Sequence, residues 1–186
     1  MQTYSLPQLI ADLENGAQLK YLYFWGNTPA HNNTVDKSCF SQWYDSPFTE
    51  NGITYKTAEH YMMAQKASLF GDTEIEKQII NSVKPGEAKA LGREVRNYDE
   101  HLWDTHKFDI VVQGSILKFS QNKNLGTYLL TTGDRVLVEA SPIDAIWGAG
   151  LAADNPAIHN PRVWRGTNLL GFALMEARDY LRKKGL

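Results

Sequence analysis

The chain of 186 residues has little of what marks several large classes of protein. Its single cysteine, Cys39, rules out a disulfide within the chain and a cysteine-rich zinc site. We expect Cys39 to be a buried free thiol rather than a nucleophile. No stretch approaches the roughly 20 apolar residues of a membrane span. The amino-terminal segment also lacks the basic start and apolar run of a signal peptide, which predicts a cytoplasmic protein.

An excess of charge of one sign is also missing. The formal net charge is -2, so no global basic field draws the chain to nucleic acid, although a single modified nucleotide remains a suitable substrate. The glycine motifs of dinucleotide-fold dehydrogenases, P-loop enzymes and serine hydrolases are absent, and the histidines form no HExxH pattern. We therefore expect no metal site and no cofactor.

Apolar periodicity and turn signals predict a single α+β domain over residues 1–186, mainly α, with several helices and a few short strands. Asn51-Gly52 between two aromatic runs predicts a β-hairpin. The polar segment 27–38 is predicted to be a loop that forms a lid or a wall of a site. The longest helical pattern covers 98–122, and its predicted apolar stripe consists of Leu102, Phe108, Val112, Ile116 and Phe119.

The stretch YKTAEHYMMAQKA predicts a helix that begins after Thr57. Glu59 and Lys66 are seven positions apart and fall on one helix face, two turns from each other. Backbone N–H groups of the first turn favour an ionised Glu59, whereas burial opposes it. A carboxylate tuned between these effects suits a general base or a stabiliser of a cation. The alternative is a solvated face opposite the apolar residues.

The segment SPIDAIWGAG predicts a tight loop after a strand. Glycines such as Gly148 allow the backbone to approach a ligand closely or to turn sharply. Trp147 offers a flat apolar surface for a base or a sugar. The alternatives are a turn-forming Asp144 and a tryptophan that belongs to the core.

Other residues have both a structural and a functional interpretation. Arg93 and Arg96 match phosphate geometry, or they are solvated surface arginines. Trp103 is a core residue of the long helix or a platform for a ligand. Asn168, just before the last helix, helps to hold an anion or caps the helix.

Several segments, taken together and in this order, resemble the NADAR (YbiA-like) family. The resemblance runs from Phe24 to Leu181 and implies a YbiA-like single domain. It also implies an enzyme that cleaves an N-glycosidic bond at ribose C1, with no metal or redox cofactor. The segments that carry it are SQWYDSPFTENGITYKTAEHYMMAQKASLFGD, ALGREVRNYDEHLW, ILKFSQN, LVEASPIDAIWGAGL and WRGTNLLGFALMEARDYL.

The resemblance implies a ribosyl-phosphate or ADP-ribose-containing substrate. One branch of the family removes ADP-ribose from guanine bases in DNA or RNA and acts as an antitoxin against an ADP-ribosyltransferase toxin. Another hydrolyses phosphorylated ribosylamino-pyrimidine intermediates of riboflavin biosynthesis. The long aromatic amino-terminal region favours the first. A third possibility is a non-catalytic module that binds ADP-ribose or a nucleotide, but the presence of the family's acidic centre favours catalysis.

The family's motif residues fall on particular positions of this sequence. The resemblance implies that Glu59, Lys66 and Asp144 are catalytic, with a carboxylate that stabilises positive charge at C1 and activates water. Lys66 contacts the ribose oxygens or phosphate, or attacks C1 as an amine and forms an imine. The expected substrate-binding residues are Trp25, Gly26, Arg93, Arg96, Trp103, Trp147, Gly148 and Asn168.

Overall fold

A computed structural model describes residues 2–31 and 34–186. Within these residues the chain forms seven α-helices and four β-strands, which confirms the predicted α+β, mainly helical class. The predicted loop 27–38 includes residues 32 and 33, which lie outside the described residues. The helices are α1 (Leu6–Glu14), α2 (Ala58–Leu69), α3 (Thr73–Asn81), α4 (Pro85–Arg93), α5 (Glu100–Gln121), α6 (Lys123–Thr131) and α7 (Leu169–Lys184); the strands are β1 (Tyr21–Phe24), β2 (Phe48–Glu50), β3 (Ile53–Tyr55) and β4 (Val136–Glu139).

The chain divides into two compact units. Unit 1 consists of the described residues of 1–41 and 124–186, and unit 2 of residues 42–123. The first contains α1, β1, β4 and α7, and the second contains the hairpin and α2 to α5. Whether the whole chain behaves as one domain stays a prediction.

Unit 1 is built on a parallel pair of strands. Tyr21 of β1 lies opposite Val136 of β4, and Phe24 lies opposite Glu139. Helix α7 approaches β4 closely, since a Cβ atom added at Gly171 would lie 2.0 Å from the carbonyl oxygen of Leu137. The carboxyl ends of both strands meet at one edge, where parallel sheets commonly bind ligands.

Unit 2 is organised around α2, which packs against α3, α4 and α5. The predicted hairpin is present, with Asn51 and Gly52 at φ values of 49° and 81° in its turn. Glycines bring the helices together. A Cβ at Gly92 of α4 would lie 2.1 Å from the Sδ atom of Met63, and one at Gly114 of α5 would lie 2.7 Å from the Tyr61 ring.

The predicted apolar stripe of α5 was largely wrong. Leu102 is exposed and three of the other four stripe residues are only partly buried, whereas Gly114 and Ser115 are buried. Small residues occupy the packed face because bulky side chains of α2, such as Tyr61, need the space. The sequence also did not predict three short 3₁₀ helices, at Lys37–Phe40, Pro156–His159 and Pro161–Val163.

One simpler prediction was confirmed. Cys39 is fully buried and is not part of a disulfide. Among the described residues, no helix combines the length and the apolar character that a membrane span requires.

Candidate active site

Hydrogen bonds of Thr57, Glu59 and His60 fix the first turn of α2. Thr57 is the N-cap, as predicted, and its Oγ1 accepts the N–H of His60. The same oxygen lies 2.8 Å from Nδ1 of His60, whose side chain is fully buried. The N–H of Glu59 donates to the carbonyl oxygen of Gln42 at 2.9 Å. These bonds set the position of Glu59 on the helix.

Glu59 lies inside unit 2 and not on a solvated helix face. Only 3% of the residue is exposed, and every residue from Ala58 to Ala64 is buried. Burial disfavours the charged carboxylate, and the backbone N–H groups of the first helical turn favour it. The alternative of a solvated face is therefore wrong for Glu59.

Lys66 lies two turns further along α2, in an aromatic corner. Its Nζ donates to the carbonyl oxygen of Gly92 at 2.8 Å. The same atom is 4.3 Å from the ring centroid of Tyr98 and 5.7 Å from that of Trp103. Burial lowers the pKa of the Lys66 amine, whereas the rings and the carbonyl oxygen favour its charged form. An amine held between these influences can act as a cation or as a nucleophile.

The two rings of this corner differ in how much surface they offer. Trp103 is only 9% exposed, so it is mainly a packing residue of α5. Tyr98 is 46% exposed and was not among the predicted site residues. Sequence reasoning missed it because it lies in the irregular segment between α4 and α5, where no periodicity points to a common face.

The two arginines predicted to bind phosphate have different surroundings. The Nε atom of Arg96 donates to Oδ2 of Asp72 at 2.9 Å, and its Nη2 donates to Oδ1. Asp72 also caps α3, and the bonds from Arg96 hold the pKa of Asp72 well below its ordinary value. Arg96 thus already has a bidentate carboxylate partner. Arg93 ends α4 and is exposed.

In unit 1, the loop after β4 is closed by the side chain of Asp144 and by a backbone hydrogen bond back to β4. Oδ1 of Asp144 accepts the N–H groups of Ile146 at 2.9 Å and Trp147 at 2.7 Å. The N–H of Ala149 returns to the carbonyl oxygen of Glu139 at 2.8 Å. We name residues 141–150 the β4 loop. Its aspartate has the turn-forming contacts that the sequence left open as an alternative.

Neighbouring segments hold the β4 loop tightly. A Cβ at Gly148 would lie 3.0 Å from the carbonyl oxygens of Asp144 and Glu139. Asn168 is fully buried, and its side-chain amide donates to the oxygen of Leu137 and accepts the N–H of Glu139, both at 2.9 Å. Because both ends of this amide bind the β4 backbone, the structure gives Asn168 a structural role. It makes no capping side-chain bond to α7.

The carboxyl end of β1 presents an open aromatic ring. Trp25 is 59% exposed, and Gly26 follows it with a φ of 81°, which favours glycine. Trp147 in the β4 loop is half-buried. The rings of Trp25 and Trp147 remain candidates for contact with a base or a sugar.

No group of three or more histidine, cysteine, aspartate or glutamate side chains suited to a metal ion occurs within residues 2–31 and 34–186. Glu59 and Lys66 of α2 are positioned by backbone hydrogen bonds and, for Lys66, by aromatic rings. They offer a buried carboxylate and an amine as reactive groups.

Comparisons with known proteins agree on one family. The NADAR domain family matches residues 23–182. An N-glycosidase of Acanthamoeba polyphaga mimivirus is 47% identical over 86% of this chain and 95% of its own length. The N-glycosidase YbiA of Escherichia coli is 32% identical over 78% of this chain and 81% of its own length. A riboflavin biosynthesis protein of Vibrio vulnificus is 28% identical over 94% of this chain, which spans only 42% of that protein.

A solved structure is also similar. The NMR structure of the E. coli protein YbiA superimposes with a TM-score of 0.70 and 28% sequence identity, and the match covers 91% of this chain and 89% of that one. The fold described above is therefore the YbiA fold.

Proposed function

This chain belongs to the NADAR domain family and is a hydrolase that acts on N-glycosyl bonds, and we propose that it removes ADP-ribose from modified guanine bases in nucleic acid. The observation that carries the proposal is the buried Glu59 in the first turn of α2, on the same helix face as the amine of Lys66.

We assign Glu59 the role of stabilising the positive charge that develops at C1 during the reaction. When the bond between ribose C1 and the base nitrogen breaks, its electron pair leaves with the base, and C1 becomes cation-like. A fixed carboxylate in a site of low polarity stabilises that charge strongly. Water then adds to C1, and Glu59 accepts the proton that the water loses.

Lys66 is assigned to the attack on C1. The lowered pKa of its amine increases the fraction that is uncharged and nucleophilic. The amine nitrogen forms a bond to C1 while the base departs with its electron pair and a proton, which gives a glycosylamine. The bond between C1 and the ring oxygen then breaks, the nitrogen proton passes to that oxygen, and an imine forms. The water that Glu59 activates hydrolyses this imine and regenerates the amine. In the simpler alternative, Lys66 remains charged and holds ribose or phosphate oxygens, as its contact with the Gly92 carbonyl oxygen also allows.

A second candidate substrate is a phosphorylated ribosylamino-pyrimidine intermediate of riboflavin biosynthesis. It is favoured by the name of the Vibrio vulnificus relative, although this chain spans 42% of that protein. The same chemistry at C1 applies, since both substrates carry a ribosyl C1–N bond.

A product assay by mass spectrometry separates these candidates. The wild type and Glu59→Ala receive an ADP-ribosylated guanine oligonucleotide and, separately, the ribosylamino-pyrimidine phosphate. We expect ADP-ribose to be released from the first substrate only, and only by the wild type. Turnover of the second substrate alone would assign the protein to riboflavin metabolism. Binding of ADP-ribose without turnover of either substrate would instead identify a binding module.

A further inference from the structure

The corner around Lys66 contains the half-exposed ring of Tyr98, which is not among the residues that the family resemblance implies. Trp103 has its ring packed into unit 2, whereas Tyr98 is 46% exposed. Both rings lie near the same Nζ atom, but Tyr98 is the closer, at 4.3 Å from its centroid. A flat group that approaches the amine of Lys66 therefore meets Tyr98 as the available stacking surface.

Tyr98 is fixed in place before any ligand arrives. Its ring meets that of Phe70 in an edge-to-face arrangement, with ring centroids 5.4 Å apart and planes at 62°. The preceding residue, Asn97, has a φ of 57°, a left-handed conformation that few residues other than glycine adopt. A side chain that is already ordered loses little conformational entropy when a ligand stacks on it.

The charges near Tyr98 restrict what can stack there. Burial raises the pKa of Tyr98, and the carboxylates of Glu100, Asp104 and Asp99 raise it further, so the hydroxyl end of the ring is in a negative environment. Arg96, two positions away, already has Asp72 as its partner. A phosphate is disfavoured beside these carboxylates, whereas an uncharged aromatic base is accepted.

We propose that Tyr98 stacks on the base that the reaction releases and determines specificity for that leaving base, an inference that rests on the proposed function. The base lies against the solvent-exposed part of the Tyr98 ring when C1 is within reach of Lys66. Tyr98 thus selects which base leaves, while Glu59 and Lys66 of α2 carry out the reaction.

The test compares Tyr98→Ala and Tyr98→Phe with wild type in steady-state kinetics on the ADP-ribosylated guanine oligonucleotide. Loss of one stacking partner weakens binding of a base by roughly 5- to 150-fold. We expect KM to rise by that factor in Tyr98→Ala with little change in kcat. Tyr98→Phe keeps the ring and should resemble wild type. An unchanged KM in Tyr98→Ala, or an equal defect in Tyr98→Phe, would overturn the proposal.

Tyr180→Ala is the matched control. Tyr180 is 39% exposed, and the Nζ of Lys184 lies 5.7 Å from its ring centroid, so it repeats the lysine-over-tyrosine arrangement on α7. We expect no change in KM for this variant. A rise equal to that of Tyr98→Ala would contradict a specific role of Tyr98. Melting temperatures check that each variant folds, and Tyr98→Leu replaces Tyr98→Ala if the latter does not.

Direct binding separates the leaving base from the adenine end of the substrate. Guanosine and ADP-ribose are titrated into wild type and Tyr98→Ala, each followed by NMR. We expect the variant to lose affinity for guanosine and to keep that for ADP-ribose; the reverse result, or no binding of guanosine to wild type, would overturn the assignment. This arm needs no turnover, so it decides the role of Tyr98 even if the proposed reaction fails.

Discussion

The two acidic residues that the sequence singled out, Glu59 and Asp144, are used in opposite ways. Glu59 is buried in the first turn of α2, and its position is fixed through its backbone, which donates to Gln42. Asp144 is partly buried, and its side chain itself closes the turn through Ile146 and Trp147. The hydrogen bonds of the Asp144 carboxylate are thus used to shape the loop. The comparison assigns the chemistry to α2 and the shape of the β4 loop to Asp144.

The largest expected effect comes from removing the charge of Glu59 without changing its size. Glu59→Gln should lower kcat by about 10²- to 10³-fold, since one preorganised electrostatic group contributes that much. Asp144→Asn keeps the oxygen that accepts both N–H groups and should lose less than about tenfold. Release of ADP-ribose, quantified by mass spectrometry, gives both rates. A larger loss in Asp144→Asn than in Glu59→Gln would reverse the assignment.

Lys66→Met should lower kcat by about 10²-fold while preserving the length and apolar stem of the side chain. Sodium borohydride added during turnover should attach the ribosyl group to the wild type through the reduced imine, and this adduct should be missing from Lys66→Met. Lys89→Met is the control, since Nζ of Lys89 also lies beside a ring, 5.9 Å from the Trp43 centroid. Full activity without an adduct in the wild type would favour the binding role of Lys66.

Asn168→Ala tests the β4 loop through stability. The substitution leaves the carbonyl oxygen of Leu137 and the N–H of Glu139 without their side-chain partner. We expect the free energy of unfolding to fall by about 1–3 kcal/mol, the cost of an unsatisfied buried group. Urea denaturation measures the change. Asn124→Ala, at an exposed position of α6 in the same unit, should cost less; equal losses would refute the bracing role of Asn168.

The smallest effect concerns pH and the first turn of α2. Burial lowers the pKa of His60 below its ordinary value of 6.5 and Lys56 lowers it further, whereas a hydrogen bond to the Ser82 backbone and the charge of Glu87 oppose them. The unfolded chain then binds more protons than the folded chain below about pH 6.5, so stability is complete above that pH and declines as the pH falls toward the folded-state pKa. Melting temperatures at pH 8 and pH 5 should differ less in His60→Asn than in wild type, while the exposed His101→Asn should leave the difference unchanged.

Local signals in the sequence predicted local structure well. Thr57 marked the start of α2, and Asn51-Gly52 marked the hairpin turn, because caps and turns depend on neighbouring residues. The role of Asn168 and the exposure of Tyr98 depend on partners far along the chain or on an irregular backbone. The buried face of α5 was misplaced for a related reason, since Gly114 is buried to make room for Tyr61 rather than for its own hydrophobicity.

The close approach at Gly92 affects how sequence variation in this protein should be interpreted. Any side chain at this position collides with Met63, and the same residue's carbonyl oxygen anchors the amine of Lys66. In a saturation mutagenesis screen for activity, substitutions at Gly92 would therefore be tolerated as poorly as those at a catalytic residue, although glycine has no reactive group. Conversely, a shorter side chain at position 63 would leave room for Gly92→Ala. Such a double substitution can move the carbonyl oxygen that binds Lys66 while the two helices stay packed.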